Sequence, residues 1–374
     1  MKSRWLYIAL QVVVSFGIVT VLGVGSAACD GGGVSDEDGQ NVSDFLVGAD
    51  ADASSVIPAG QFGEIIAHSK VDYAEDIHGS GNLVFVTGKE SGLHVFDVSD
   101  PKNPVKLATL PMTKAWDVIA DGTRAWVTDY SGGLHAVDAS DPNNIQVVGT
   151  YTNGNEIIAL GQMGTDRVVV GGGDGVAKGW FEIIDVTTPT PKLVGNRAVV
   201  DVESDGAAAS LAAADGFVYF GQADGTLRIF DATNPSNITQ VGTYFNQGTL
   251  GHEPWGLGIT IAGDHLFYSD WGAGVITLDI SSPTSPQEVS VFAEGGYAFY
   301  DSYFHDERLY IALDGGLGVL DMNNPAQPSL IGGSYLSTKA GAALDDAPHG
   351  VWVHNGVAWV SDNKAGMLVG VAVP

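Results

Sequence analysis

The sequence predicts an all-β fold, a seven-bladed β-propeller of four-stranded antiparallel blades, on three observations. A turn phrase running from an Asp to a Pro four residues later is written six times, a strand-and-turn phrase is written seven times, and no window carries a sustained helical period. The turn phrase reads DVSDP at Asp97–Pro101, DASDP at Asp138–Pro142, DVTTP at Asp185–Pro189, DATNP at Asp231–Pro235, DISSP at Asp279–Pro283 and DMNNP at Asp321–Pro325. Its Asp positions are spaced by 41, 47, 46, 48 and 42 residues, a period that marks one supersecondary unit repeated side by side.

The first unit shows how each element follows from its residues. Asp76-Ile77-His78 starts a strand, Gly79–Asn82 turns it, Leu83–Val86 is a second strand, Lys89–Gly92 turns again, Leu93–Phe96 is a third and Pro104–Leu110 a fourth. The runs are short, rich in Val, Phe and Leu, and bounded by Gly, Asn, Asp or Pro, which is strand-and-turn chemistry. The second strand recurs as VFVTG at Val84–Gly88, AWVTD at Ala125–Asp129, VVVGG at Val168–Gly172, VYFGQ at Val218–Gln222, LFYSD at Leu266–Asp270, LYIAL at Leu309–Leu313 and AWVSD at Ala358–Asp362. Seven hairpins with six turn phrases leave the last unit without an outer strand. The segment Phe62–His68, which resembles Ile145–Tyr151, is expected to supply it and close the ring, sparing the molecule an exposed sheet edge. Six blades plus a remnant is the alternative. The 51 glycines suit a turn every few residues, and 45% apolar residues can fill seven small cores.

The other end of the chain reads as an address. Lys2 and Arg4 precede an apolar run from Trp5 to Gly25, then Ser26-Ala27-Ala28 and Cys29, the one cysteine of 374 residues. A basic start, an apolar stretch and small residues at the exit are the pattern of a secretory signal, here residues 1–28. Cys29 stands where bacterial lipoproteins carry their lipidated cysteine, although Ser26 occupies the place where Leu is preferred. Cleavage after Ala28 without lipidation and an uncleaved anchor are the other readings, since about 20 apolar residues can span a bilayer. Asp30–Val56 holds seven acids and no base, so residues 29–59 are expected to be a lipid-bearing, flexible acidic tether and residues 60–374 the propeller.

The repeated unit resembles the LVIVD-repeat family of bacterial envelope proteins, whose blades carry a strand followed by GL-x-V-x-D-V-S-D-P-x-x-P. The matching copies are GLHVFDVSDPKNP at Gly92–Pro104 and GLHAVDASDPNNI at Gly133–Ile145, where Ile145 replaces the final Pro. The resemblance covers about Gln61 to Pro374 and implies a propeller with an exported location. It implies no catalytic motif, because the repeated residues are turn and core positions. Asp97 and its equivalents are accordingly expected to bond to turn backbone.

Chemistry is sought in loops that share one face of such a ring. The second-to-third-strand loops hold Glu90, Asp129, Asp174, Asp224, Asp270, Asp314 and Asp362, a pattern that tight turns explain. The segments leading into the inner strands hold Glu75, Asp117, Glu156, Glu253, Asp301, Asp345 and Asp346, and two of these segments are long: Thr249–Gly256 (TLGHEPWG) and Leu344–Gly350 (LDDAPHG). They align on Pro254-Trp255-Gly256 and Pro348-His349-Gly350. His252, Glu253, Asp345, Asp346 and His349 are therefore candidates for one funnel holding a divalent cation such as calcium, since carboxylates with imidazoles suit an ion or acid–base work. Trp255 and Trp271 are candidates for gripping a ligand. Trp116, Trp126, Trp180, Trp352 and Trp359 match blade-core positions, His94 and His135 match each other as repeat residues, and His78, His265, His305 and His354 are expected to be exposed near hairpin turns.

Composition narrows the partners. Forty-four acids against sixteen bases give a net charge of −28, which disfavours nucleic acid and a bare anionic membrane surface. No phosphate-cradling loop is present. The reading that follows is a lipid-anchored binding or scaffold propeller in the bacterial cell envelope, presenting its loops to an envelope protein or glycan. The alternative is a metal-dependent hydrolase using the funnel.

Overall fold

Among the described residues, twenty-eight short strands form seven separate four-stranded antiparallel sheets, six of them built from four consecutive strands. The computed structural model describes residues 63–173, 178–201, 208–245, 255–293, 298–313, 315–335, 348–363 and 365–373, and among these there is no helix. In blade 1 the order from the ring axis outward is Ile77–Ser80, Leu83–Thr87, Leu93–Asp97 and Val105–Leu110. The inner strands of blades 2 to 7 are Ala115–Asp121, Ala159–Met163, Ala208–Ala214, Gly256–Ala262, Phe299–His305 and Pro348–His354.

The seventh sheet closes the ring as the sequence leads one to expect. Its inner three strands are Pro348–His354, Val357–Asp362 and Met367–Ala372, and its outer strand is Ile65–Lys70 from the other end of the chain. The pairing is antiparallel, with His68 opposite Val369 and Lys70 opposite Met367, so the open array becomes a ring.

The core is seven cores. Each apolar cluster lies between two neighbouring blades: Phe85, Leu93 and Val95 of blade 1 pack on Val118 and Val127 of blade 2, while Val84 and Val86 pack on Trp352 and Trp359 of blade 7. Alternate residues of one strand thus serve opposite neighbours, because successive side chains leave opposite faces of a strand. This is why the second strands read as unbroken apolar runs rather than alternating ones. The clusters at the remaining five junctions complete the circuit.

The Asp-to-Pro phrase is a turn device in all six copies. Each Asp ends a third strand and its Oδ1 accepts from the backbone N–H two residues on: Ser99 at 2.8 Å, Ser140 at 2.9, Thr187 at 2.8, Thr233 at 3.0, Ser281 at 2.8 and Asn323 at 2.9. Where the Pro stands second, as in Asp100–Asn103, the Asn103 N–H closes the turn on the Asp100 carbonyl at 3.0 Å. The turn also reaches back: the Pro235 carbonyl of blade 4 accepts from Asn196 N–H of blade 3 at 2.9 Å. The Gly of the repeat has its own reason. Gly92 sits at φ +86, and a Cβ there would lie 2.1 Å from the Leu110 carbonyl oxygen of the outer strand.

Candidate ligand-binding site

Where the chain enters the ring axis, five of the seven inner strands carry a bulge that puts two residues opposite one. Register shifts lie between Ala115 and Val118, Ala208 and Ser210, Gly256 and Gly258, Phe299 and Ser302, and Pro348 and Gly350. Hydroxyls of the second strands brace these bulges across blades. Thr87 donates to the Trp116 carbonyl at 2.9 Å and Ser361 to the Glu75 carbonyl at 3.3 Å. At this level one residue of each blade faces the axis, the first bulge residue where there is a bulge and its counterpart in blades 1 and 3. In blades 6, 7, 1 and 2 that residue is Tyr300, His349, Glu75 and Trp116, whereas in blades 3, 4 and 5 it is Ile158, Ala209 and Leu257; all seven line a central cavity of 680 Å³.

Four of these groups are knitted together. Glu75, 7% exposed, lies 3.1 Å from Lys89 Nζ and 3.4 Å from His349 Nδ1, and it also accepts from Asn363 Nδ2. Burial works against its charge, but His349 and Lys89 outweigh burial and hold the carboxyl below its usual range. Lys89, 2% exposed, stands over the Tyr73 ring at 4.1 Å and the Trp116 ring at 4.8 Å. Its ammonium is desolvated, yet the Glu75 carboxylate raises its pKa. The His349 ring stacks on Tyr300 with centroids 4.8 Å apart.

The residue that follows carries three more acids, Asp76, Asp117 and Asp301. Each reaches the next blade: Val118 N–H donates to Asp76 and Leu160 N–H to Asp117, both at 2.9 Å, and Val351 N–H donates to Asp301. All three line the cavity while being crowded by protein. Burial raises the pKa of each. Asp117 is further raised by the charge of Asp76 and by its hydrogen bond with Asp76, and Asp301 is pushed up to about 8 by burial and by the Asp76 charge.

Of the residues singled out from sequence, Trp255, Trp271 and His349 line this cavity, and so do Glu75, Asp117 and Asp301 of the segments leading into the inner strands. The two indoles pack edge to face at 5.7 Å, and Trp271 N–H donates to the Trp255 carbonyl at 3.0 Å. His252, Glu253, Asp345 and Asp346 lie outside the described residues, as do Cys29, the signal and tether segments, Asp174 and Asp314. Among the described residues no three His, Asp or Glu side chains are placed to share a metal ion.

Three sequence expectations need correction. The alignment of Pro254-Trp255-Gly256 on Pro348-His349-Gly350 is two residues out: the strand register sets Gly256 level with Pro348 and Gly258 level with Gly350. His349 is therefore the counterpart of Leu257, while Trp255 precedes its strand. Trp116 is not a blade-core residue like Trp126, Trp180, Trp352 and Trp359, because the bulge turns it to the axis. His78 is not solvent-exposed; its Nδ1 accepts from Ala120 N–H at 3.2 Å on the cavity wall, and burial lowers its pKa to about 4.

The loop acids do behave as turn residues. Asp129 accepts from Thr113 and Lys114 N–H at 2.7 Å, Asp270 from Gly272 N–H at 2.8 Å and Asp362 from Ala365 N–H at 3.1 Å. His94 and His135 are structural, held by Ser91 Oγ at 2.9 Å and by Thr150 Oγ1 at 2.9 Å respectively. Asp76, Trp116 and Tyr300 could not be picked out from sequence as cavity residues, because nothing but strand register separates them from ordinary inner-strand residues.

Comparisons with known proteins fit this architecture. The family model of the LVIVD repeat matches residues 72–108, 113–153, 205–246, 257–299 and 307–336, together just over half of the chain. Blade 3, whose second strand is the loose copy VVVGG, lies mostly between two of these matches. No curated protein matches the chain. Among solved structures, the crystal structure of the computationally designed Ika8 protein is similar, at 13% identity and a TM-score of 0.55 over 83% of this chain and 100% of that one. At that identity the likeness concerns the fold alone.

Proposed function

Because the chain belongs to the LVIVD-repeat family and folds as a β-propeller, a binding or scaffold module, we propose that it is exported, anchored by a lipid on Cys29, and presents its channel mouth to a partner in the bacterial cell envelope, an envelope protein or a glycan. One observation carries the binding part of this reading. The repeat keeps its Asp-to-Pro turns nearly uniform around the ring, yet the seven equivalent positions at the mouth carry seven different side chains, Glu75, Trp116, Ile158, Ala209, Leu257, Tyr300 and His349. A position that only closed the ring would repeat like the turns; one that recognises a partner is free to differ in each blade. In this reading residues 1–28 direct export, 29–59 carry the lipid and tether, and 60–374 bind. The net charge of −28 sets the partner apart from nucleic acid.

Two measurements test it. Cys29→Ser should abolish incorporation of radiolabelled palmitate and leave the precursor uncleaved; continued acylation would refute the anchor. The pair Trp255→Ala and Trp271→Ala should remove retention on envelope polysaccharide or site-specific crosslinking to envelope proteins. Undiminished retention and crosslinking would remove the mouth from the interaction.

A further inference from the structure

The cavity wall is divided by chemistry. Asp76, Asp117 and Asp301 belong to blades 1, 2 and 6, with Glu75, Trp116 and Tyr300 beside them, while the positions equivalent to the three Asp are Ala159, Ser210, Gly258 and Gly350 in the other four blades. The Asp carboxyls do accept from neighbouring backbone, yet four blades close without an acid there, so closing the ring does not require them. Facing this side stand Ile158, Leu211, Leu257 and Ile259, with Trp255 and Trp271 of blade 5 beside them. An acidic wall with aromatic neighbours thus opposes a largely aliphatic one across a space within the usual size of small-molecule sites.

Among the described residues, the cations near the acids are held elsewhere. Lys89 is committed to Glu75 at 3.1 Å, His349 also stands against Glu75, and His78 sheds its proton through burial. A bare metal ion would meet no three ligands placed for it among the described residues. We infer that the channel binds a small organic cation, its ammonium group held against Asp76, Asp117 and Asp301 near the Trp116 and Tyr300 rings, and its apolar body lying on the aliphatic wall. This rests on the reading of the mouth as a binding site and is independent of export and anchoring.

The test is calorimetric titration of the full chain in detergent with benzyltrimethylammonium, with its neutral isostere neopentylbenzene, and with calcium. The expected result is one saturable site for the cation and binding of the isostere at least about tenfold weaker. Asp117→Asn and Asp301→Asn should each weaken the cation about tenfold, and Asp97→Asn, a turn variant, should not. Should the cavity variants fail to fold, wild type still decides. Titration at pH 7 in two buffers of different ionisation enthalpy should show proton release, because Asp301, with its pKa near 8, must deprotonate to hold the ammonium. Absence of saturable binding, equal affinity for the isostere, or calcium binding with which the ammonium does not compete would overturn the inference. If the cation fails while Trp255→Ala and Trp271→Ala still abolish envelope binding, the inference falls and the proposed function stands.

Discussion

Asp301 shows how burial at one residue sets a pH dependence. Its folded pKa of about 8 lies far above the ordinary carboxyl value of about 3.9. A group raised in this way stabilises fully below its unfolded value, and that contribution is lost as pH rises through about 8, at about 1.4 kcal/mol for each pH unit crossed. The unfolding free energy of wild type should therefore decline between about pH 5 and 8, and Asp301→Asn should decline less over the same window. Parallel declines in urea titrations would show that the group is not buried as described. Gly92 offers a second contrast at this scale. Gly92→Ala forces both a positive φ and a Cβ 2.1 Å from a carbonyl, whereas Gly122→Ala meets only the φ of +61, with nothing within 4 Å. The first should cost about 3 kcal/mol or more and the second about 1, read as shifts in urea midpoint. Equal costs would mean that the outer strand simply moves aside. The glycine of the repeat is legible in sequence as a turn; its contact with the Leu110 carbonyl is not, because that partner lies in the next strand.

At the scale of the element, the turns carry a signal of the opposite sign. The carboxyls of Asp185 and Asp231 are held below the usual range by the Thr187 and Thr233 hydroxyls and then by backbone N–H groups, and those of Asp279 and Asp321 are lowered by their own turns. Depressed carboxyls stabilise above their unfolded values and lose that contribution as pH falls through the folded ones, so the melting temperature should drop in the acid range below about pH 4. Replacing all four by Asn keeps the acceptor and removes the titration; the acid limb of a melting-temperature profile should flatten. An unchanged limb would place acid unfolding elsewhere. These turns are readable because one local phrase fixes them. The inner-strand bulge is not, and consequences follow: aligning Trp255 with His349 by loop composition misses a register that only the hydrogen bonds to Asp270 and Asp362 define. Trp116 escapes a sequence reading for the same reason, since a bulge residue and its neighbour look alike in sequence but face different ways.

For the whole molecule, closure is the property that most affects stability. The seven hairpins and the missing outer strand imply the ring and its closing strand in advance, because a repeat reports its own count and its own gap. Deleting residues 1–70 should strip the partner from Met367–Ala372, lower the melting temperature and promote self-association through the bared edge. Melting and size-exclusion elution matching the full chain would deny the strand a closing role. The division of the cavity into acidic and aliphatic walls is not legible in sequence, since it depends on which blades become neighbours across the axis.

The closing strand also gives the propeller a direction. Ile65–Lys70 runs toward the channel mouth, because Lys70 is followed by the short link to Glu75, and so Ile65 lies at the far face, on the outer rim beside Val371. Whatever precedes it joins the ring from behind and off-centre. Under the proposed anchoring through Cys29, the tether would reach the ring on the face away from the mouth, so the direction of one strand decides which side of the propeller is left open to a partner.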